Sequence, residues 1–376
     1  MTVFVLAVLV LYFATARYAG RGFHADYAGK DAILSLKGVF ILLVLASHFC
    51  GYGPKAVAKA LPWGWDASVY AWIQAALGQM VVVPFLFFSG YGVFISLRDK
   101  GEGYFAGFPV RRILSVLFRF DLAVLPYLAL MICDGKALDA GRIVGGFTAW
   151  SSFGNSNWYI FTILILYALS FLAFLPFRKR DAAARETAAL VTLAVLSVAF
   201  VAVMAALKKP AVFFNTSLAY FAGAAFAVGK KRFEEAFLSG NGPYALLLVL
   251  LAVVFPLAKG GCPELFHYEA TALVFSGIVV LLLAKISNRN PLLVFCGRHL
   301  FAIYILQRLP MILLKRTALS EMPYLTFGAV LASTLLLSWI FDRLTPCLWS
   351  PCERALLAIG RGVAGNRNFV KEGEGK

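Results

Sequence analysis

The chain has 376 residues, of which 61% are hydrophobic and only 14% are charged. A water-soluble protein of this length needs more charge to cover its surface, so the composition argues against a soluble globular fold. Mean hydropathy is +0.80, and long apolar runs recur along the whole chain. They predict an all-α, polytopic bundle of transmembrane helices embedded in a lipid bilayer, whereas a β-barrel would show short alternating segments.

The net charge of +16 is better explained by topology than by nucleic-acid binding. The basic residues lie in short loops between apolar runs, and they form no basic patch interleaved with aromatic residues for stacking bases. We therefore expect no nucleic-acid partner. The six cysteines are scattered along the chain without the paired spacing of a zinc site, so no metal centre is predicted.

Eleven apolar segments predict eleven helices, at about residues 2–16, 33–53, 76–97, 113–133, 157–176, 188–207, 212–229, 242–258, 269–285, 291–314 and 323–342. In the first segment the charges follow the apolar run, which favours an anchor helix over a cleaved signal peptide. The predicted organisation is an anchor helix with a cytoplasmic loop over 1–30, a transmembrane domain over 31–342, and a basic tail over 343–376 that is poorly ordered at its end.

Lysines and arginines fix the expected orientation, because they concentrate in alternate loops. One set of loops contains Arg111 and Arg112, "FRKR" (177–180) and "GKKR" (229–232), whereas the opposite loops are poorer in these residues. The positive-inside rule places the richer set in the cytoplasm. The tail that follows the last predicted helix is then also cytoplasmic.

The second predicted helix contains "LKGVFILLVLASHF", Leu36 to Phe49, with a lysine near one end and a histidine deep inside. Lys37 and His48 are eleven residues apart, so they share one helix face and lie about 16 Å apart along it. With Lys37 at the interface, His48 is near the middle of a hydrocarbon core about 30 Å thick. An ionisable group there is a functional candidate. The alternatives are an interhelical hydrogen bond for His48 and a snorkelling side chain for Lys37.

Two motifs follow in the next helices. In "VVVPFLFFSGYGVFISL" the small residues Ser89, Gly90 and Gly92 predict close approach of another helix. In "FPVRRILSVLFRF", Arg111 and Arg112 lie at the membrane edge, where the positive-inside rule also explains them.

Arg119 belongs to the same segment, but it lies roughly 10 to 12 Å deeper in the membrane than the pair. A buried arginine requires an anionic partner. Asp121 is near in sequence but lies on another face of the helix. A phosphate-bearing ligand is an alternative partner, because a guanidinium binds phosphate through two hydrogen bonds.

Two further segments carry polar or amphipathic side chains at the start of a helix. "SNWYIFTILILY" contains Trp158 and Tyr159, which fit the aromatic belt of a membrane interface. "GRHLFAIYILQ" contains His299, Tyr304 and Gln307, which are candidates for interhelical hydrogen bonds.

Taken in order from Leu36 to Gln307, these five segments resemble the membrane-bound acyltransferase 3 family, whose members O-acetylate sugars of bacterial cell-surface glycans. The resemblance implies a membrane domain of about ten helices, to which the first helix is an addition. The chain departs from the family pattern at several positions. Lys37 stands where arginine is commoner, and Ser115 where a further arginine is often found. His299 stands where a serine is frequent, and Gln307 where a histidine is frequent.

The resemblance also implies substrates, residue roles and a location. The donor is expected to be a cytoplasmic acyl-CoA, namely acetyl-CoA, and the acceptor a cell-surface glycan or lipid-linked sugar. His48 is then the catalytic residue, as a base or as a transient carrier of the acetyl group. The expected donor-binding residues are Lys37, Arg111, Arg112 and Arg119. Trp158 and Tyr159 are expected on the acceptor side, and the protein in a bacterial inner membrane.

Two readings from other classes stay open at this point. A transporter or flippase for a lipid-linked glycan would use the same basic and aromatic lining without an acyl donor. A structural or sensory membrane protein would tolerate changes at both Lys37 and His48. The ordered set of motifs favours the enzyme over either alternative.

Overall fold

The computed structural model of the protein describes residues 1–52, 64–261 and 264–373. Its helices are α1 (Thr2–Ala14), α2 (Lys30–Tyr52), α3 (Gly64–Leu77), α4 (Val83–Ala106), α5 (Ser115–Cys133), α6 (Ala140–Phe147), α7 (Trp158–Phe174), α8 (Ala182–Ala206), α9 (Leu218–Phe237), α10 (Asn241–Gly261), α11 (Glu264–Lys285), α12 (Pro291–Arg298), α13 (Leu300–Leu306), α14 (Arg308–Leu314) and α15 (Pro323–Gly373). Two short strands, β1 (Ala16–Tyr18) and β2 (Ile286–Asn288), pair antiparallel.

The lengths and apolar character of these helices confirm the predicted fold class. Within the described residues, nine helical segments are long and apolar enough to cross a membrane, or ten if the bent pair Pro291–Arg298 and Leu300–Leu314 is one span. The chain is therefore a multi-pass, all-α membrane protein. The predicted anchor helix α1 has 13 residues and a length of about 20 Å, which is less than the hydrocarbon core.

The structure differs from the predicted helices in four places. Helices α3 and α6 lie where the sequence predicted loops, and the single helix predicted over 291–314 is divided into α12, α13 and α14. The last helix is longer than predicted, because α15 continues into the tail as far as Gly373. The final three residues of that tail lie outside the described part of the chain.

Glycines allow two pairs of helices to pack at very short range. A Cβ atom at Gly90 of α4 would overlap the Tyr220 carbonyl oxygen of α9, and one at Gly223 of α9 would overlap the Phe87 carbonyl oxygen of α4. Gly38 and Gly297 bring α2 and α12 together in the same way. These contacts hold α4 against α9 and α2 against α12. The close approach of another helix that the sequence predicts for this segment is confirmed at Gly90, but not at Gly92, where a Cβ would meet nothing within 4 Å.

Gly90 and Gly92 offer a matched test of this packing, because a Cβ at Gly92 would meet nothing within 4 Å. We expect Gly90→Ala to lower the free energy of unfolding by about 1–3 kcal/mol, as overpacking does elsewhere. Gly92→Ala should leave it unchanged or raise it slightly, since alanine is the better helix former. Thermal unfolding of both variants in the same detergent measures the difference. Equal destabilisation by the two substitutions would contradict the packing argument.

Buried carboxylates also hold helices together. Glu186 of α8 accepts two hydrogen bonds from the Arg98 guanidinium of α4, at 2.8 and 2.7 Å. Glu269 of α11 accepts hydrogen bonds from the Ser217 hydroxyl and from the backbone N–H of Leu218, at the first turn of α9. Each carboxylate thus has partners within the protein, so these buried charges have a structural explanation.

Candidate active site within the membrane

His48 lies on the unbroken helix α2, which carries it to a layer of polar side chains inside the bundle. Its ring is next to that of Tyr304, with 6.1 Å between the ring centroids. The imidazole also interacts with the side chain of Gln307 and with the charge of Arg308. Because α2 is continuous from Lys30 to Tyr52, Lys37 and His48 keep the shared face and the separation of about 16 Å that the sequence predicts.

The partners of His48 come from a broken membrane span. The helix axis bends by 66° between α12 and the following α13 and α14, and Gln307 and Arg308 lie at the junction of α13 and α14. Gln307 is fully buried, and its side-chain amide donates to the Tyr304 carbonyl oxygen at 2.9 Å. Arg308 donates to the Asn155 carbonyl oxygen at 3.0 Å. The loop before α7 is thereby tied to the segment that surrounds the imidazole.

Tyr159 at the start of α7 belongs to the interior of the bundle. It is buried, and its ring contacts that of Tyr304 edge to face, with 5.3 Å between centroids. An aromatic belt needs side chains at the lipid interface, so the belt interpretation is wrong for Tyr159. Trp158 is partly buried and contacts Tyr159, with 6.1 Å between ring centroids.

Hydroxyl groups connect the aromatic rings of Tyr159 and Tyr304 with a cluster of basic residues at one end of the bundle. The Ser89 side chain of α4 interacts with both Tyr159 and Tyr167, and Tyr167 in turn interacts with Arg112. The sequence analysis singled out Ser89 only for helix packing, and it did not identify Tyr167. Together these side chains form a polar row through the bundle, from the Arg112 guanidinium to the aromatic neighbour of His48.

One end of this row is positively charged. Lys37 and Arg112 are close enough for their charges to interact, and the Arg112 Nε donates to the Tyr104 hydroxyl at 2.7 Å. Arg111 and Arg112 line an open cavity of about 420 Å³ together with Tyr104 and Lys100. Arg111 is exposed and pairs with a carboxylate of α15 at 3.0 Å. The fold therefore assembles three of the predicted donor-binding residues at one site.

Arg119 lies apart from that cavity. Its guanidinium pairs with Asp342 of α15 and stacks over the Phe301 ring, 4.6 Å from the centroid. The second carboxylate oxygen of Asp342 lies 2.6 Å from Nδ1 of His299. The anionic partner that a buried arginine requires is thus a carboxylate of the protein, 223 residues away in sequence. The role of Arg119 in donor binding stays a prediction.

A membrane-embedded imidazole, joined by polar side chains to a cluster of cations at one end of the bundle, defines the class: a polytopic membrane protein with a candidate site inside the bilayer. The family model described as an acyltransferase domain matches residues 31–343. The chain therefore belongs to the membrane-bound acyltransferase 3 family. The match begins within α2 and ends within α15, so α1 lies outside it. The chain has no significant match among curated proteins or among solved structures.

Proposed function

We propose that the protein is an O-acyltransferase of a bacterial inner membrane. It moves an acyl group, most simply acetyl, from cytoplasmic acyl-CoA to a sugar hydroxyl of a cell-surface polysaccharide or glycolipid. The observation that carries this proposal is the placement of Lys37 and Arg112 together at one end of a helix face that ends at His48. In a member of an acyltransferase family, this arrangement suits a donor with a charged head and a reactive end on a long arm.

The cationic cluster suits the phosphates of the donor. Arg111 and Arg112 border the open cytoplasmic cavity, and Lys37 adds a third positive charge beside Arg112. Guanidinium groups bind phosphate oxygens through paired hydrogen bonds, and an ammonium adds a compact point charge. The distance of about 16 Å from Lys37 to His48 is of the order that a pantetheine arm spans. The nucleotide then stays at the cytoplasmic mouth while the thioester reaches the imidazole.

In the transfer step, His48 takes the proton of the sugar hydroxyl as the oxygen attacks the thioester carbonyl. A C–O bond forms, the C–S bond breaks, and the sulfur of CoA leaves with the proton returned by the imidazolium. Arg308 interacts with His48, so its positive charge favours the negative charge that develops on the carbonyl oxygen. A transient acetyl group on the imidazole would use the same two side chains.

The acceptor is proposed to approach from the opposite side of the membrane. Trp158 is partly buried and contacts the buried Tyr159, whose other neighbour is Tyr304. An acceptor sugar that enters at the start of α7 would meet the Trp158 ring first. From Trp158, the rings of Tyr159 and Tyr304 then lead to the imidazole of His48.

Acyl transfer is tested with membranes that contain the full chain and membranes that lack it, each supplied with acetyl-CoA and the host's glycan pool. In one arm the label is in the acetyl group, and in the other it is in the adenine. We expect acetyl label, but no adenine label, in the glycan fraction as an ester that mild base releases. A flippase without transferase activity would give no label in either arm, which would overturn the proposal.

A further inference from the structure

A second cationic cavity lies between α5, the end of α12 and α15. It has a volume of about 280 Å³, and its lining residues are Ser115, Arg119, Arg298, Asp342, Thr345, Pro346 and Trp349. It shares no lining residue with the cavity at Arg111 and Arg112. Its cytoplasmic position follows from its location near the end of α12 and of the membrane-crossing part of α15, on the side that is rich in arginine and lysine.

The side chains that line this cavity carry a net positive charge. Asp342 is engaged on both oxygens, one with Arg119 and the other with Nδ1 of His299. Arg298 is exposed and is not among the arginines that pair with a carboxylate in the described residues. A guanidinium has five N–H donors, so Arg119 retains donors beyond those that Asp342 accepts. Two guanidiniums against one carboxylate suit an anion with several oxygens, such as a phosphate group.

The exposed residues beside the cavity indicate which kind of molecule carries that phosphate. Leu114, Leu344 and Leu348, each adjacent in sequence to a lining residue, are 38%, 59% and 54% exposed. Exposed leucines beside a membrane-crossing helix face the acyl chains of lipids. The cavity therefore opens toward the cytoplasmic leaflet, where basic pockets between transmembrane helices bind anionic headgroups.

We propose that this cavity binds the phosphate of an anionic phospholipid of the cytoplasmic leaflet, with Arg298 and Arg119 as its ligands. The Ser115 hydroxyl lines the same cavity and is placed to donate a further hydrogen bond. Trp349, whose ring contacts that of Phe118 at 5.1 Å between centroids, forms one wall. Binding of the lipid requires no acyl transfer, so its test needs no substrate.

The test uses the purified full chain in detergent and fluorescent short-chain phosphatidylglycerol or phosphatidylcholine, with Kd measured by anisotropy. We expect the wild-type protein to prefer phosphatidylglycerol, and Arg298→Gln to reduce this preference roughly fivefold, as about 1 kcal/mol per arginine implies. Arg343→Gln is the matched control. Arg343 is exposed on α15 beside Asp342 but does not line the cavity, so its loss removes the same charge without removing a ligand.

A second variant, Arg298→Lys, shows whether the effect of Arg298→Gln comes from the lost charge or from misfolding. It keeps the positive charge, so it should retain most of the preference for phosphatidylglycerol. Equal binding of the two lipids by the wild-type protein would overturn the proposal, as would equal effects of Arg298→Gln and Arg343→Gln. Coenzyme A is added as a competitor in a further arm. If it displaces phosphatidylglycerol from the wild-type protein but not from Arg298→Gln, the cavity belongs to the acyl donor instead.

Discussion

His48→Gln is expected to lower acyl transfer by a factor of about 10² to 10⁴, the range that loss of a general acid–base group produces. Glutamine has a polar side chain of similar reach, so it can occupy the site beside Tyr304, but it cannot carry a proton between two oxygen or sulfur atoms. Donor binding should be retained, because the cationic cluster lies about 16 Å away. The measurement is labelled acetyl ester in the glycan fraction, from membranes matched for protein level.

His267→Gln provides the control for this result. His267 also belongs to a membrane-crossing helix, but its Nδ1 lies 2.8 Å from the Ala258 carbonyl oxygen, a contact that binds the imidazole to the backbone. We expect this variant to retain nearly all transfer. Unchanged transfer in His48→Gln would remove His48 from the chemistry. Equal losses in both variants would show only that membrane histidines support the fold.

Arg112→Gln is expected to raise the KM for acyl-CoA by roughly 10- to 100-fold, because a hydrogen bond to a charged group contributes about 1.5–3 kcal/mol. The value of kcat should change much less, since the proposed contact of Arg112 with the donor lies far from the reacting carbonyl. The wild-type KM should also rise with ionic strength, and that of the variant should rise less. KM and kcat are both obtained from initial rates at varied acyl-CoA concentration.

Arg111→Gln is the neighbouring comparison for this prediction. Arg111 is 52% exposed at its side chain and is already paired with Glu353, so solvent screens its charge more strongly than that of Arg112. A smaller rise in KM is expected. If the two variants behave alike, the contacts of Arg112 with Tyr104 and with the charge of Lys37 do not define the donor site.

Local sequence patterns were sufficient to predict the membrane class, most helices and the relation of Lys37 to His48. Each of these features depends on residues that are close together in the sequence. Apolar runs identify a helix that lipid can surround, and the fixed rise and turn of that helix place two residues eleven positions apart on one face. The ordered motifs identified the family for the same reason, since each is a short continuous segment of the chain.

Tertiary structure decided what surrounds those residues. The contacts of His48 with Tyr304 and Gln307, and that of Arg119 with Asp342, join residues more than 200 positions apart. The pairing of β1 with β2 also joins distant parts of the chain. No periodicity in the sequence encodes such contacts, because they depend on which helix faces pack together. Glycines such as Gly38 and Gly297 set that packing, since they let backbones meet where any side chain would hold them apart.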